Sequence, residues 1–266
     1  MASGKSSKAG RGKRAPAVRV KSTPWGTIAA VVVVVVFAAA VFGYAFYQNR
    51  QQSKQADALA PFTPTAANQD PSKAIPGVIT ASFQAGQHVT PAQRVAYTHF
   101  PPFGGAHDYN WAACNGVVYP TAVRSENMVH SLEHGAVWIA YDPARVNGEA
   151  LNALRTRADG KPYTLMSPYP GLDQPVSLQS WGHQLKVSDT ADPRIDQFIQ
   201  ALRRNQYTYP EVGASCDALG PGQFDPANPP AFEASPPGPG AVPELGANGP
   251  AAAGEQLRPP AQGGSG

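Results

Sequence analysis

The chain has 266 residues, with 21 Lys and Arg against 18 Asp and Glu, a formal charge of +3 and two cysteines. That charge is unevenly spread: seven of the cations fall in the first 22 residues, and without them 14 basic groups face 18 acidic ones, a remainder near −4. A mildly acidic remainder offers no basic field to a polyanion, which excludes nucleic acid as a partner.

In chain order, residues 1–23 read as a basic cytoplasmic tail: Lys5, Lys8, Arg11, Lys13, Arg14, Arg19 and Lys21 have no acidic neighbour. No charge occurs from Ser22 to Asn49, and the apolar run between Trp25 and Tyr47 includes six consecutive valines, 31–36. About 20 apolar residues suffice to cross a bilayer as a helix. Trp25 at one end and Phe42, Tyr44, Phe46 and Tyr47 at the other match interfacial aromatic belts. These features predict one transmembrane helix over 24–48 with the lipid bilayer as its partner. The positive-inside rule puts the N-terminus in the cytoplasm and everything after about Arg50 outside. The alternative is a signal peptide cleaved near the alanines at 38–40, but the apolar run is long for one and continues past those alanines. Residues 49–74, polar and rich in Ala, Gln and Pro, read as a linker. A folded domain is expected over 75–218. Residues 219–266, dominated by Pro, Gly and Ala, read as a disordered tail because they cannot bury enough apolar area to offset their ordering entropy.

Within the domain, residues 78–83 suggest a strand and the Pro- and Gly-rich stretch 97–111 a loop. Residues 123–134 then form a helix that Gly135 ends, followed by an uninterrupted apolar strand at 136–141. A second helix spans 147–158 and closes at Asp159-Gly160. Short strands follow at 163–166, 176–180 and 185–187. Ile195, Phe198, Ile199 and Leu202 fall at i, i+3, i+4 and i+7 behind Asp192 as cap and Pro193 at the first helical position, predicting a third helix. The expected fold class is α+β: one compact extracytoplasmic domain with a small antiparallel sheet covered by helices.

Chemistry concentrates at His130-Ser-Leu-Glu133-His134. Residues i and i+4 share a helix face, so the two imidazoles can converge on one ion. His99 and His107 flank FPPFGG in the preceding loop and are expected to fold over that helix. The expected metal ligands are therefore His130, His134, His107, His99 and Glu133, a donor set suited to a zinc or copper ion as cofactor. Because imidazole must be neutral to ligate and titrates near 6.5, affinity is expected to fall below about pH 6. A second reading makes these histidines structural, in a non-catalytic interaction module with a protein partner in the cell envelope. A third takes H-x-x-E-H as the pattern of inverted zinc peptidases, with Glu211 as a distant ligand. Gly135 stops the helix where such enzymes continue it, so no residue is assigned a catalytic role. Cys114 and Cys216, an even count on the oxidising side of a membrane, predict a disulfide; soft-metal ligation by Cys114 is the alternative.

Three blocks in order, THFPPFGGAHDYNWAACNGVVY, AVRSENMVHSLEHGAVWIAYDP and SPYPGLDQPVSLQSWG, resemble the actinobacterial domain-of-unknown-function family 3105. The resemblance spans residues 75–216. It departs from the family pattern at Ala106, where proline is expected, at Asn115, which separates Cys114 from a glycine, and at Ser125, where asparagine is expected. It implies a single N-terminal anchor and an exported domain, and it names no activity.

Overall fold

The computed structural model describes residues 24–220 and 222–245. The basic tail expected over 1–23 lies outside them, as do residues 246–266 of the expected disordered tail. The chain divides into two units, Met1–Gln55 and Ala56–Gly266.

In the first unit begins α1, Trp25–Leu59, with no buried residue. Among the described residues it is the helix long and apolar enough to cross a membrane. Its valines at 31–36 are 54–67% exposed, so among the described residues its apolar surface is uncovered. Such a helix fits a membrane anchor or a signal sequence. It also runs about ten residues into the expected linker. The reason is local: Gln, Lys, Ala and Leu dominate 51–59, and these residues prolong a helix once it has been nucleated.

The rest of the expected linker belongs to the second unit. Short 3-10 turns occur at Ala60–Phe62 and Pro71–Ala74. Asn205 donates to the Gln69 carbonyl (2.8 Å), and the Asp70 carboxylate lies 3.3 Å from His183 Nε2. Residues 60–74 are therefore fastened to the domain by polar contacts that composition did not reveal.

The strands are β1 Ile79–Thr80, β2 His88–Val89, β3 Val95–Ala96, β4 His107–Asp108, β5 Asn115–Val118, β6 Val137–Tyr141, β7 Thr164–Pro168, β8 Val176–Ser180, β9 His183–Val187 and β10 Val242–Pro243; the domain's helices are α2 Ser125–Glu133, α3 Gly148–Ala158 and α4 Arg194–Leu202. The main sheet has the order β1-β9-β8-β6-β7-β5. It is mixed, which corrects the antiparallel expectation. β6 and β5 both pair with β7 in parallel, whereas β8, β9 and β1 continue antiparallel. The cause is connectivity. An 11-residue helix, α3, separates β6 from β7, long enough for the crossover that parallel strands need. β8 and β9 are joined by two residues and can only form a hairpin.

β6, VWIAY, is buried throughout because both faces of the sheet are covered. Trp138 and Ala140 pack with Met128, Val129 and Leu132 of α2 on one side. Val137, Ile139 and Tyr141 pack with Leu154 of α3 and Ile195, Phe198 and Leu202 of α4 on the other. The apolar spacing read in α4 is thus its buried face, and Asp192 accepts the Arg194 N–H at 2.9 Å where the helix begins.

The expected disordered tail needs correction over 222–245. Phe224 is 1% exposed and meets Tyr119 edge-on, Phe232 packs on Tyr169, and β10 pairs with β3. These anchors act singly through tertiary contacts, so they leave no periodicity in the sequence. The cysteines form the expected disulfide, Cys114–Cys216, closing a separation of 102 residues.

Candidate metal centre

α2 carries the centre and Gly135 ends it: the glycine has φ of +90°, a left-handed value that other residues rarely adopt. A Cβ there would lie 2.6 Å from the Tyr209 ring. The stop is set both by conformation and by close approach, and it holds Glu133 and His134 at the last turn beside the sheet. Opposite α2, the parallel pairing of β2 with β4 matches His88 to His107. The register sets these two imidazoles side by side, their rings 4.9 Å apart. The His107 ring is 4.8 Å from that of His130, and the His88 ring stacks on His130 at 5.0 Å.

One donor atom from each of His88, His107, His130 and Glu133 lies within 4.8 Å of the others. A second group, sharing His130, comprises His130, His134 and Glu211. Bonds of about 2.0–2.1 Å to one zinc allow donors no more than roughly 4.2 Å apart, so small side-chain rotations would close either group on an ion.

Three imidazoles are oriented in the same way. Nδ1–H of His107 donates to the Gly105 carbonyl (2.7 Å), that of His130 to Asp108 (2.6 Å) and that of His134 to Ser215 (2.6 Å). A carbonyl only accepts, so Nδ1 carries a proton in each ring, which makes Nε2 the nitrogen available to ligate when the imidazole is neutral. Metal-ligating histidines are commonly held by such a bond.

Glu133 is wholly buried. Its Oε1 accepts the Gly86 N–H at 2.7 Å. Its Oε2 lies 2.7 Å from His107 Nε2, yet neither atom makes a hydrogen bond. His88 Nε2 is 3.8 Å from the same oxygen. Among the described residues, no Lys or Arg forms an ion pair with Glu133.

The electrostatics favour bare imidazole. Burial, with His107 and His134 alongside, pushes the pKa of His130 down to about 2. Burial also lowers His134, against the opposing pull of the Ser215 carbonyl and Glu211, and lowers His88, where His107 adds to it. For Glu133, burial favours the acid, but His107, the Gly86 N–H and His88 outweigh it and hold the carboxyl below its ordinary value.

Of the residues expected to converge, His107, His130 and Glu133 fall in one donor group, and His134 falls in the second, which shares only His130 with it. His99 falls in neither. Its Nδ1 lies 3.3 Å from Glu244 Oε1 and its ring packs 4.6 Å from Phe103. Glu244, in the segment expected to be disordered, supplies the partner that draws His99 away. His88 was missed, since QAGQHVTPAQR has no periodicity and only strand pairing brings it in. Glu211, considered only as the distant ligand of a peptidase, reaches His134 at 3.1 Å.

No curated protein and no solved structure matches the chain. The family model described as "Protein of unknown function (DUF3105)" matches residues 88–218, a span that runs from His88 to beyond Glu211. The domain that carries both donor groups is a member of the DUF3105 family.

Proposed function

We propose that the protein is a metal-binding protein of the cell membrane, held by α1 as a single-pass anchor with its domain on the extracytoplasmic side. The domain takes up a zinc or copper ion through His88, His107, His130 and Glu133. One observation carries this reading: a fully buried carboxylate faces imidazoles whose Nδ1–H bonds to backbone carbonyls leave Nε2 as the ligating nitrogen. A buried anion with no Lys or Arg beside it among the described residues is costly, and a divalent ion would supply positive charge. Imidazole nitrogen with one carboxylate oxygen is a donor set that suits zinc and copper. Four of the six donors in the two groups are buried, so the arrangement suits an ion better than an organic substrate.

The anchor reading draws on the uncovered apolar surface of α1 and on a disulfide, which persists in oxidising compartments. Hydrolysis is not assigned. Glu133, the residue that would activate water, has one oxygen on Gly86 N–H and the other against His107.

A second reading, an envelope interaction module with structural histidines, draws on the contacts of His107 with Glu133 and of His134 with Glu211, which tie separate segments together. Elemental analysis of the purified full chain separates the two. The metal reading expects close to one zinc or copper ion per chain; protein that holds neither after incubation with either ion is structural at this site. A C-terminal reporter that works only in the cytoplasm would refute the orientation.

A further inference from the structure

We propose that the centre offers one ion two alternative seats that share His130, forming a relay from a four-ligand position to a three-ligand exit at Glu211; this rests on the metal-binding reading above. The inner seat is His88, His107, His130 and Glu133, and the outer seat is His130, His134 and Glu211. His130 commits its Nδ1–H to the Asp108 carbonyl at 2.6 Å. Only Nε2 is left, and a neutral imidazole nitrogen has a single lone pair for one ion. The two seats therefore cannot be complete at once. With an ion in the inner seat, the outer one is reduced to His134 and Glu211.

Each seat has one partly exposed ligand, the His88 side chain at 39% in the inner and the Glu211 side chain at 40% in the outer, but the inner seat has one ligand more and a carboxylate with no exposed surface. The His130 and His134 rings are 4.6 Å apart, so passage from one seat to the other is a side-chain-scale step with the His130 bond retained. Bonds to His88, His107 and Glu133 break as those to His134 and Glu211 form; no electron or proton need move. Trp111 packs against both rings, edge-on to His130 at 5.6 Å and tilted to His134 at 4.8 Å. The segment bearing Glu211 is docked at the end of α2, its N–H on the Glu133 carbonyl at 3.2 Å.

The test uses the full-length chain in detergent with zinc alone, comparing the parent with Glu211→Gln, a substitution at a half-exposed side chain. The parent should hold one tightly bound zinc at saturation. Glu211→Gln should also hold one, in the inner seat, and should lose it to excess chelator about tenfold more slowly, on the scale at which residues around a metal tune it. Two zinc ions held tightly at once by the parent would overturn the shared seat. Release from Glu211→Gln at the parental rate or faster would overturn the relay and put the exit at His88. A parent that binds no zinc or copper at all would instead remove the metal reading itself.

Discussion

A carboxylate with no exposed surface, set among closely packed imidazoles, is the sharpest physical demand in this protein. His130 is common to both donor groups, so His130→Ala should weaken zinc binding by more than about 100-fold, beyond the 10–100-fold effect of residues that only support a ligand. Competition with a metal-sensitive dye would measure it, and circular dichroism of the same sample would check the fold. The depressed values of His88, His130 and His134 also set the pH response. In the unfolded chain these groups titrate near 6.5, so below that pH the unfolded state binds more protons than the folded one. Glu133 acts in the same direction: its stabilisation is present above its ordinary value of 4.5 and is lost as pH falls through the lower folded value. Metal-free protein should therefore lose stability steadily from about pH 6.5 downward, seen as a falling urea midpoint. A midpoint unchanged between pH 7.5 and pH 5 would contradict the buried neutral imidazoles. Protons also compete for the site at lower pH than for free histidine, so an ion should be retained at pH 6, where unperturbed imidazoles would begin to release it.

At the scale of elements, the end of α2 decides where the donors sit. Gly135 is the hinge of that arrangement, since an added Cβ meets both an unfavourable φ and the Tyr209 ring. Gly135→Ala should destabilise the domain by about 2–5 kcal/mol, combining backbone strain with overpacking. Urea unfolding would measure it, and a cost below the precision of that experiment would show that the glycine is a convenience. The segment after α4 is the second device. It supplies the Ser215 carbonyl to His134 and Glu211 to the outer donor group, and the Cys114–Cys216 bridge fastens it beside Trp111. Replacing both cysteines by serine should cost about 2–5 kcal/mol in denaturant unfolding. The parent should yield the two cysteine peptides linked in non-reducing mass spectrometry, and both thiols free in envelope-derived material would sink the bridge.

On the scale of the whole molecule, the domain is larger than composition suggests because it recruits residues from both flanks. Asp70 pairs with His183 on one side, and Phe224, Phe232 and Glu244 dock on the other. Phe224→Ala should therefore cost about 3–5 kcal/mol, the range for a buried phenylalanine. The same substitution in a disordered tail would leave the unfolding midpoint unchanged. His99 belongs at this scale too, for it is Glu244, 145 residues away, that takes it out of the metal centre.

Local rules made several features legible in the sequence. An uncharged apolar run marked α1, glycine and proline bounded α2 and α4, apolar spacing named the face of α4, and the i, i+4 histidines marked the centre. Two cysteines allowed one intramolecular pairing. Each of these signals resides within a few turns of chain or in a count. Tertiary structure alone decided the rest. Parallel pairing of β2 with β4 brought His88 to His107, the loop after α4 delivered Glu211, and Glu244 removed His99. The mixed sheet likewise followed from which strands a helix separates. Such contacts join residues far apart in the chain, and their energy depends on burial and partner geometry, neither of which leaves a local pattern.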